Sequence, residues 1–134
     1  MDDHEEIQPR DSECSENASV PRPLGILETV VYCEDLSAAH DFYEQVVGLP
    51  VVSVESGRHV FFRVGKGMLL VFNPLETESG AVHVGDQLIP RHGGTGPSHF
   101  AFEILPRQVD AVREHLQSWQ IAIEAEIEWP GGGH

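Results

Sequence analysis

One pattern occurs twice along this chain. A strand-like run, an amphipathic helical run and a further strand-like run appear in the first half, then again about 70 residues later. A repeated supersecondary unit forces each copy to bury its apolar side in the same way, which narrows the fold more than composition does. In the first copy, residues 25–33 read as a strand, with Val30, Val31 and Tyr32 as good strand formers. Asp35 or Ser37 is placed to cap a helix on which Ala39, Phe42, Tyr43, Val46 and Val47 recur at helical spacing, with Gly48 as its stop. Three strands follow at about 51–55, 58–64 and 68–72, with Ser56-Gly57 and Gly65-Lys66-Gly67 as the turns. In the second copy, residues 98–104 read as a strand. Pro106 breaks the chain before a helix whose Val109, Val112, Leu116 and Trp119 share a face, and residues 121–129 read as a last strand. Residues 73–97 read as a long Gly- and Pro-rich connection, either functional or a plain linker. The order is therefore βαβββ, loop, βαβ, an α+β chain whose second unit is truncated after βαβ.

Composition sets the remaining bounds. The 134 residues, 40% of them hydrophobic, suit one domain with an ordinary core. Residues 1–23, acidic and poor in apolar side chains, are expected to be a disordered tail, leaving the domain at 24–134. The tail has no apolar stretch of the kind a secretory signal needs, and no run approaches the roughly 20 apolar residues of a membrane span. A cytoplasmic location is expected. A formal charge of −14 argues against nucleic acid and anionic membranes as partners. Cys14 and Cys33 make no disulfide framework and read as free thiols in a reducing compartment.

The run LETVVYCEDLSAAHDFYEQVVGLPV resembles the opening βαβ of a vicinal oxygen chelate protein, the superfamily of glyoxalases, bleomycin-resistance proteins and extradiol dioxygenases. The run GPSHFAFEILPRQVDAVREHLQSW resembles the opening of that family's second module, and WPGGGH the turn before its final hairpin. The resemblance covers about residues 24–134, with module one at about 24–76 and module two at about 98–134. It implies paired βαβββ modules forming an open barrel around a cavity that commonly holds a divalent metal ion. By the same resemblance Glu28, eight positions before Leu36, and His99, in the matching strand of module two, stand at metal-ligand positions. The position on module one's last strand falls near Leu70 or Val71, which bind no metal. A Glu usually supplied by the final strand of module two lies beyond the sequence. A second protomer covering the open edge is expected, hence a homodimer.

Alternation along the strands gives an independent reading. Glu28 shares a face with Val30 and Tyr32, and His99 with Ala101 and Glu103, in each case the less apolar face, away from the helix. Glu28 is either a ligand or a partly solvated strand residue; His99 is either a ligand or a hydrogen-bonded structural histidine. In RHVFFRVG, His59, Phe61 and Arg63 share a face. Arg63 is either a clamp for a substrate carboxylate or phosphate or half of a surface ion pair. Glu103 is either an unpaired cavity acid or a rim residue, the rim being favoured, and with Tyr32, Phe61 and Arg63 it is a candidate substrate contact; His83, Arg91 and His92 either lie over the cavity mouth or, the favoured reading, are solvent-exposed loop polarity. Two functions stand side by side. One is a divalent-metal-dependent enzyme acting on a small oxygen-bearing molecule, with Glu28 and His99 as ligands. The other is a metal-free protein that binds a small aromatic or cationic ligand, for which Tyr32, Phe61 and Phe72 are suited.

Overall fold

The computed structural model describes residues 20–132. Its elements are β1 (Glu28–Tyr32), α1 (Leu36–Asp41), β2 (Val51–Glu55), β3 (His59–Val64), β4 (Gly67–Phe72), α2 (Pro74–Ser79), β5 (Val82–Val84), β6 (Gln87–Ile89) and α3 (Val109–Ser118). A wider π-type turn, Phe42–Val46, extends α1, and a 3₁₀ turn, Pro106–Gln108, leads into α3. Four strands form one sheet in the order β1-β4-β3-β2, with β1 parallel to β4 and the other pairs antiparallel. The sheet is α+β in character, with its helix on one face, and does not close into a barrel.

Local chemistry accounts for the first module. Asp35 Oδ1 accepts from the Ala38 N–H at 3.0 Å and caps α1. Gly48 ends the helical segment at φ +82°, a conformation that costs any other residue about 1–2 kcal/mol. Gly57 and Gly65, at φ +76° and +55°, turn the two hairpins. Gly67 starts β4 where a Cβ would sit 3.0 Å from the Leu27 carbonyl, so β4 is free to pass close beneath the entry to β1. Alternation then sorts the sheet. Val60, Phe62, Leu69 and Val71 face α1 and form the core with Ala39, and Phe62 and Val71 are fully buried. The opposite, open face carries His59, Phe61 and Arg63 of β3, Met68, Leu70 and Phe72 of β4, and, by register, Glu28, Val30 and Tyr32 of β1.

The second half departs from expectation. Residues 98–104 and 121–129 form no strand and join no ladder among the described residues. The strand order gives the reason. In the first module β1 and β2 are the two outer strands, and the third and fourth strands lie between them. Among the described residues these two segments have no such inner pair between them, and a segment without a neighbouring strand has nothing to bond its N–H and C=O groups. The connection at 73–97 is also more ordered than a loop. It holds α2, capped by Asn73 with Pro74 in the first turn, and the isolated hairpin β5–β6. Of the expected acidic tail, residues 1–19 and Cys14 lie outside the described residues. Residues 20–27 are exposed and irregular. Cys33 is a free, half-buried thiol, its Sγ 3.3 Å from the Asp35 carbonyl.

Candidate functional site

The open face of the sheet is lined by aromatic rings in continuous contact. His59 stacks on Phe61 with centroids 3.9 Å apart, and Phe61 meets Phe72 edge-on at 5.2 Å. Phe72 meets His92 at 4.7 Å, and His92 meets Tyr32 at 5.7 Å. Four of these residues are placed by strand alternation. His92 comes from the connection after β6 and is pinned at three points. Its backbone N–H donates to the Thr77 carbonyl at 3.2 Å, its Nδ1 pairs with the Tyr32 hydroxyl at 2.8 Å, and its ring meets Phe72 edge-on. Thr77 is itself fully buried, which fixes that anchor. Gly94 passes directly over the Tyr32 ring, where a Cβ would lie only 3.1–3.2 Å from it. Of the two readings of the connection, His92 follows the one that set it at the cavity, as part of the wall, while His83 and Arg91 are exposed.

Electrostatics set the protonation of this wall. Burial, with the Glu78 carboxylate nearby, raises the Tyr32 pKa, so the hydroxyl keeps its proton near neutrality. His59 Nε2 lies 3.2 Å from Ser53 Oγ, and its Nδ1 is 3.4 Å from Glu55 Oε2, within ion-pair range but without hydrogen-bond geometry. Burial lowers the His59 pKa more than Glu55 raises it, and the Arg58 charge lowers it further. His59 is therefore a neutral imidazole near pH 7, held between a hydroxyl and a carboxylate. Ser53 and Glu55 were not anticipated. Their signal was the register across the β2–β3 turn, which sets Glu55 opposite His59 and Ser53 opposite Phe61.

The other expected site residues do not gather at this wall. Glu28 is on the open face opposite Met68, exposed at the start of β1. Arg63 is exposed, and its Nη1 donates to the Gly67 carbonyl of its own hairpin at 3.4 Å. His99 is exposed within the unladdered segment. Phe100 and Phe102 pack on the core, and a small cavity of about 110 Å³ brings Ala101 and Glu103 against Thr29 and Met68. That contact sets the second half beside β1. Glu103 also lines a separate trough against α3.

A divalent metal was implied by resemblance, and the side chains present do not make up a site for one. Among the described residues no group of three or more His, Cys, Asp or Glu converges to hold an ion. The third position falls near Leu70 or Val71, both buried and paired with Val30 and Val31, and neither offers a donor atom.

Comparison with known proteins bears on the whole domain. Residues 25–134 match the model of the glyoxalase/bleomycin resistance protein/dioxygenase superfamily. A lactoylglutathione lyase from Agrobacterium tumefaciens is similar at 38% identity, over 83% of this chain and 81% of that one, with a TM-score of 0.72. A glyoxalase/bleomycin resistance protein/dioxygenase from Nocardioides shares the fold at 19% identity and TM-score 0.57, over 84% and 72% of the two chains. A fosfomycin resistance protein from Listeria monocytogenes shares it at 15% and 0.55, over 81% and 74%. No curated protein sequence matches. With its βαβββ sheet, its second-half helix and this match over nearly all the described residues, the chain belongs to the glyoxalase/bleomycin resistance protein/dioxygenase superfamily.

Proposed function

We propose that this chain binds a small molecule on the open face of its sheet, without needing a metal for binding. The observation that carries the reading is the continuous wall of His59, Phe61, Phe72, His92 and Tyr32. Aromatic faces offer large apolar area at little entropic cost, and they attract cations and other rings. The neutral His59 imidazole, the His92 ring and a protonated phenol give the same wall polar edges that orient a ligand. Phe61 and Tyr32 would be contact residues. Arg63 and Glu103, at other points of the surface, would touch only a ligand that extends beyond the wall.

The second reading is a divalent-metal-dependent enzyme acting on a small oxygen-bearing molecule. Its support is that Glu28 stands on the open face and that residues 100–103, which follow His99 in the chain, line a small cavity together with Thr29, which follows Glu28. The likeness to a lactoylglutathione lyase favours it as well. Glu28 and His99 would be two of the ligands, and a third would come from elsewhere.

Calorimetry with a panel of small aromatic and cationic compounds, run in chelator and again with added divalent ions, tests both. The first reading expects binding that persists in chelator and weakens at least tenfold, about 1.4 kcal/mol, in Phe61→Ala. Binding that appears only with metal and vanishes in Glu28→Ala and His99→Ala overturns it in favour of the second.

A further inference from the structure

The β2–β3 hairpin places a hydroxyl, an imidazole and a carboxylate in sequence at one end of the aromatic wall. Ser53 Oγ lies 3.2 Å from His59 Nε2, and His59 Nδ1 lies 3.4 Å from Glu55 Oε2. A register shift produces this arrangement. Val51 pairs with Phe62 and packs on the core, so strict alternation would turn Ser53 to the same side. The bulge between Val51 and Ser53 takes up one residue. Ser53 then pairs with Phe61 and Glu55 with His59, which sets both side chains on the open face.

The three groups stand in the order that an activated nucleophile requires: hydroxyl, base, and a group that orients the base. The negative charge of Glu55 favours the tautomer of the neutral His59 ring with its proton on Nδ1, the nearer nitrogen. That leaves the Nε2 lone pair for the Ser53 hydroxyl. The Nδ1–Glu55 contact is longer than a hydrogen bond, and such contacts commonly tighten only when a substrate is in place. The stack on Phe61, with ring planes 12° apart, fixes the plane of the imidazole. Arg58 Nε, 3.8 Å from the same Glu55 oxygen, holds the carboxylate from its other side.

We propose that Ser53 and His59 are catalytic residues for acyl transfer from esters of phenols, with Glu55 as the positioning residue for His59. The substrate class rests on the reading of the wall as a ligand surface. Phe61 lies opposite Ser53 on the same face and touches Phe72, so a phenol ring seated on these two rings sets its ester group beside the hydroxyl. In the first step Ser53 Oγ adds to the ester carbonyl carbon as its proton passes to His59 Nε2. The bond from that carbon to the phenol oxygen then breaks, and the phenolate takes the proton from Nε2, leaving the acyl group on Oγ. In the second step a water molecule gives a proton to Nε2 and adds to the acyl carbon. The Oγ–acyl bond breaks, Ser53 recovers the proton and a carboxylic acid leaves.

The full chain mixed with excess para-nitrophenyl acetate is expected to release a burst of about one equivalent of nitrophenolate and to carry one acetyl group, placed on Ser53 by peptide mass spectrometry. Ser53→Ala is expected to lose that acetyl group. His59→Phe, which keeps the ring stack, should slow acylation by about a hundredfold or more. Glu55→Gln should lower the maximal acylation rate about tenfold with the half-saturating ester concentration unchanged, a split that a merely structural loss would not give. Phenyl acetate should be preferred to trifluoroethyl acetate by about tenfold, after each rate is divided by the rate of that ester with free imidazole. No burst, or an acetyl group on any residue but Ser53, overturns the proposal. If aromatic compounds still bind by calorimetry while Ser53 stays unacylated, the acyl-transfer site alone is overturned and the wall stands as a ligand surface. Acylation of Ser53 without preference for the phenyl ester overturns the substrate class and counts against the wall. Should Ser53→Ala lose its far-ultraviolet circular dichroism, the residue that carries the acetyl group in the wild-type chain decides.

Discussion

His59 shows how one side chain reports on its surroundings. It is largely covered, stacked on Phe61, and flanked by Ser53 and Glu55. Burial lowers its pKa, so the folded chain binds fewer protons at this position than the unfolded chain. Its contribution to stability is therefore fully present above the unfolded value of about 6.5 and is lost as the pH falls from there through the lowered folded value. Urea midpoints measured at about pH 7.5 and pH 5 should drop on acidification. The drop should be smaller in His59→Phe, which keeps the ring stack and has no proton to bind. An identical drop in the two proteins would remove His59 from this account. Phe61 and Tyr32 were visible as site candidates in the sequence because alternation alone fixes the face of a strand residue. His92 was not. Its place depends on Thr77 and Tyr32, remote in sequence, and nothing near position 92 signals them.

At the scale of elements, the legible parts were those held by short-range chemistry. β2 runs Val51–Glu55 as the alternation expects, and β3 and β4 each differ by one residue at their start. Asp35 and Gly48 mark the ends of the first helical segment as their side-chain and backbone preferences require. Gly48→Ala, placing a Cβ at φ +82°, should lower stability by about 1–2 kcal/mol in chemical denaturation. No loss would mean that the turn relaxes. The elements read wrongly fail for one reason. Residues 98–104 and 121–129 have strand-like sequences, but a strand is a relation between two segments, and the pattern of one does not provide the other. The opposite error hid β5–β6. Its Val-His-Val and Gln-Leu-Ile arms flank Gly85-Asp86, a turn signal, yet the length of the connection drew the reading toward a loop.

Across the whole molecule, packing is uneven. The buried apolar residues run from Ala39 to Phe72, and α3 has none. The second half is held to the first by a few contacts, among them Phe100 and Phe102 on the core and His115 Nε2 with the Val46 carbonyl at 2.7 Å. Hydrogen exchange should therefore find the slowest amides in β3 and β4. Residues 98–104 and 121–129 should exchange near the unprotected rate. Uniform protection of both halves would contradict this division.

The tie between Tyr32 and His92 has a kinetic consequence. The phenol that faces the open side of the sheet is also the post to which the connection after β6 is fastened. For any ligand that needs the Tyr32 hydroxyl, arrival is an exchange, in which one hydrogen bond is given up as another forms. The free energy gained is then the difference between two similar bonds, and the speed of arrival is capped by how often His92 lets go. A guest at this wall selects the moments when the strap is slack, and its affinity is reduced by the fraction of time the strap is fast.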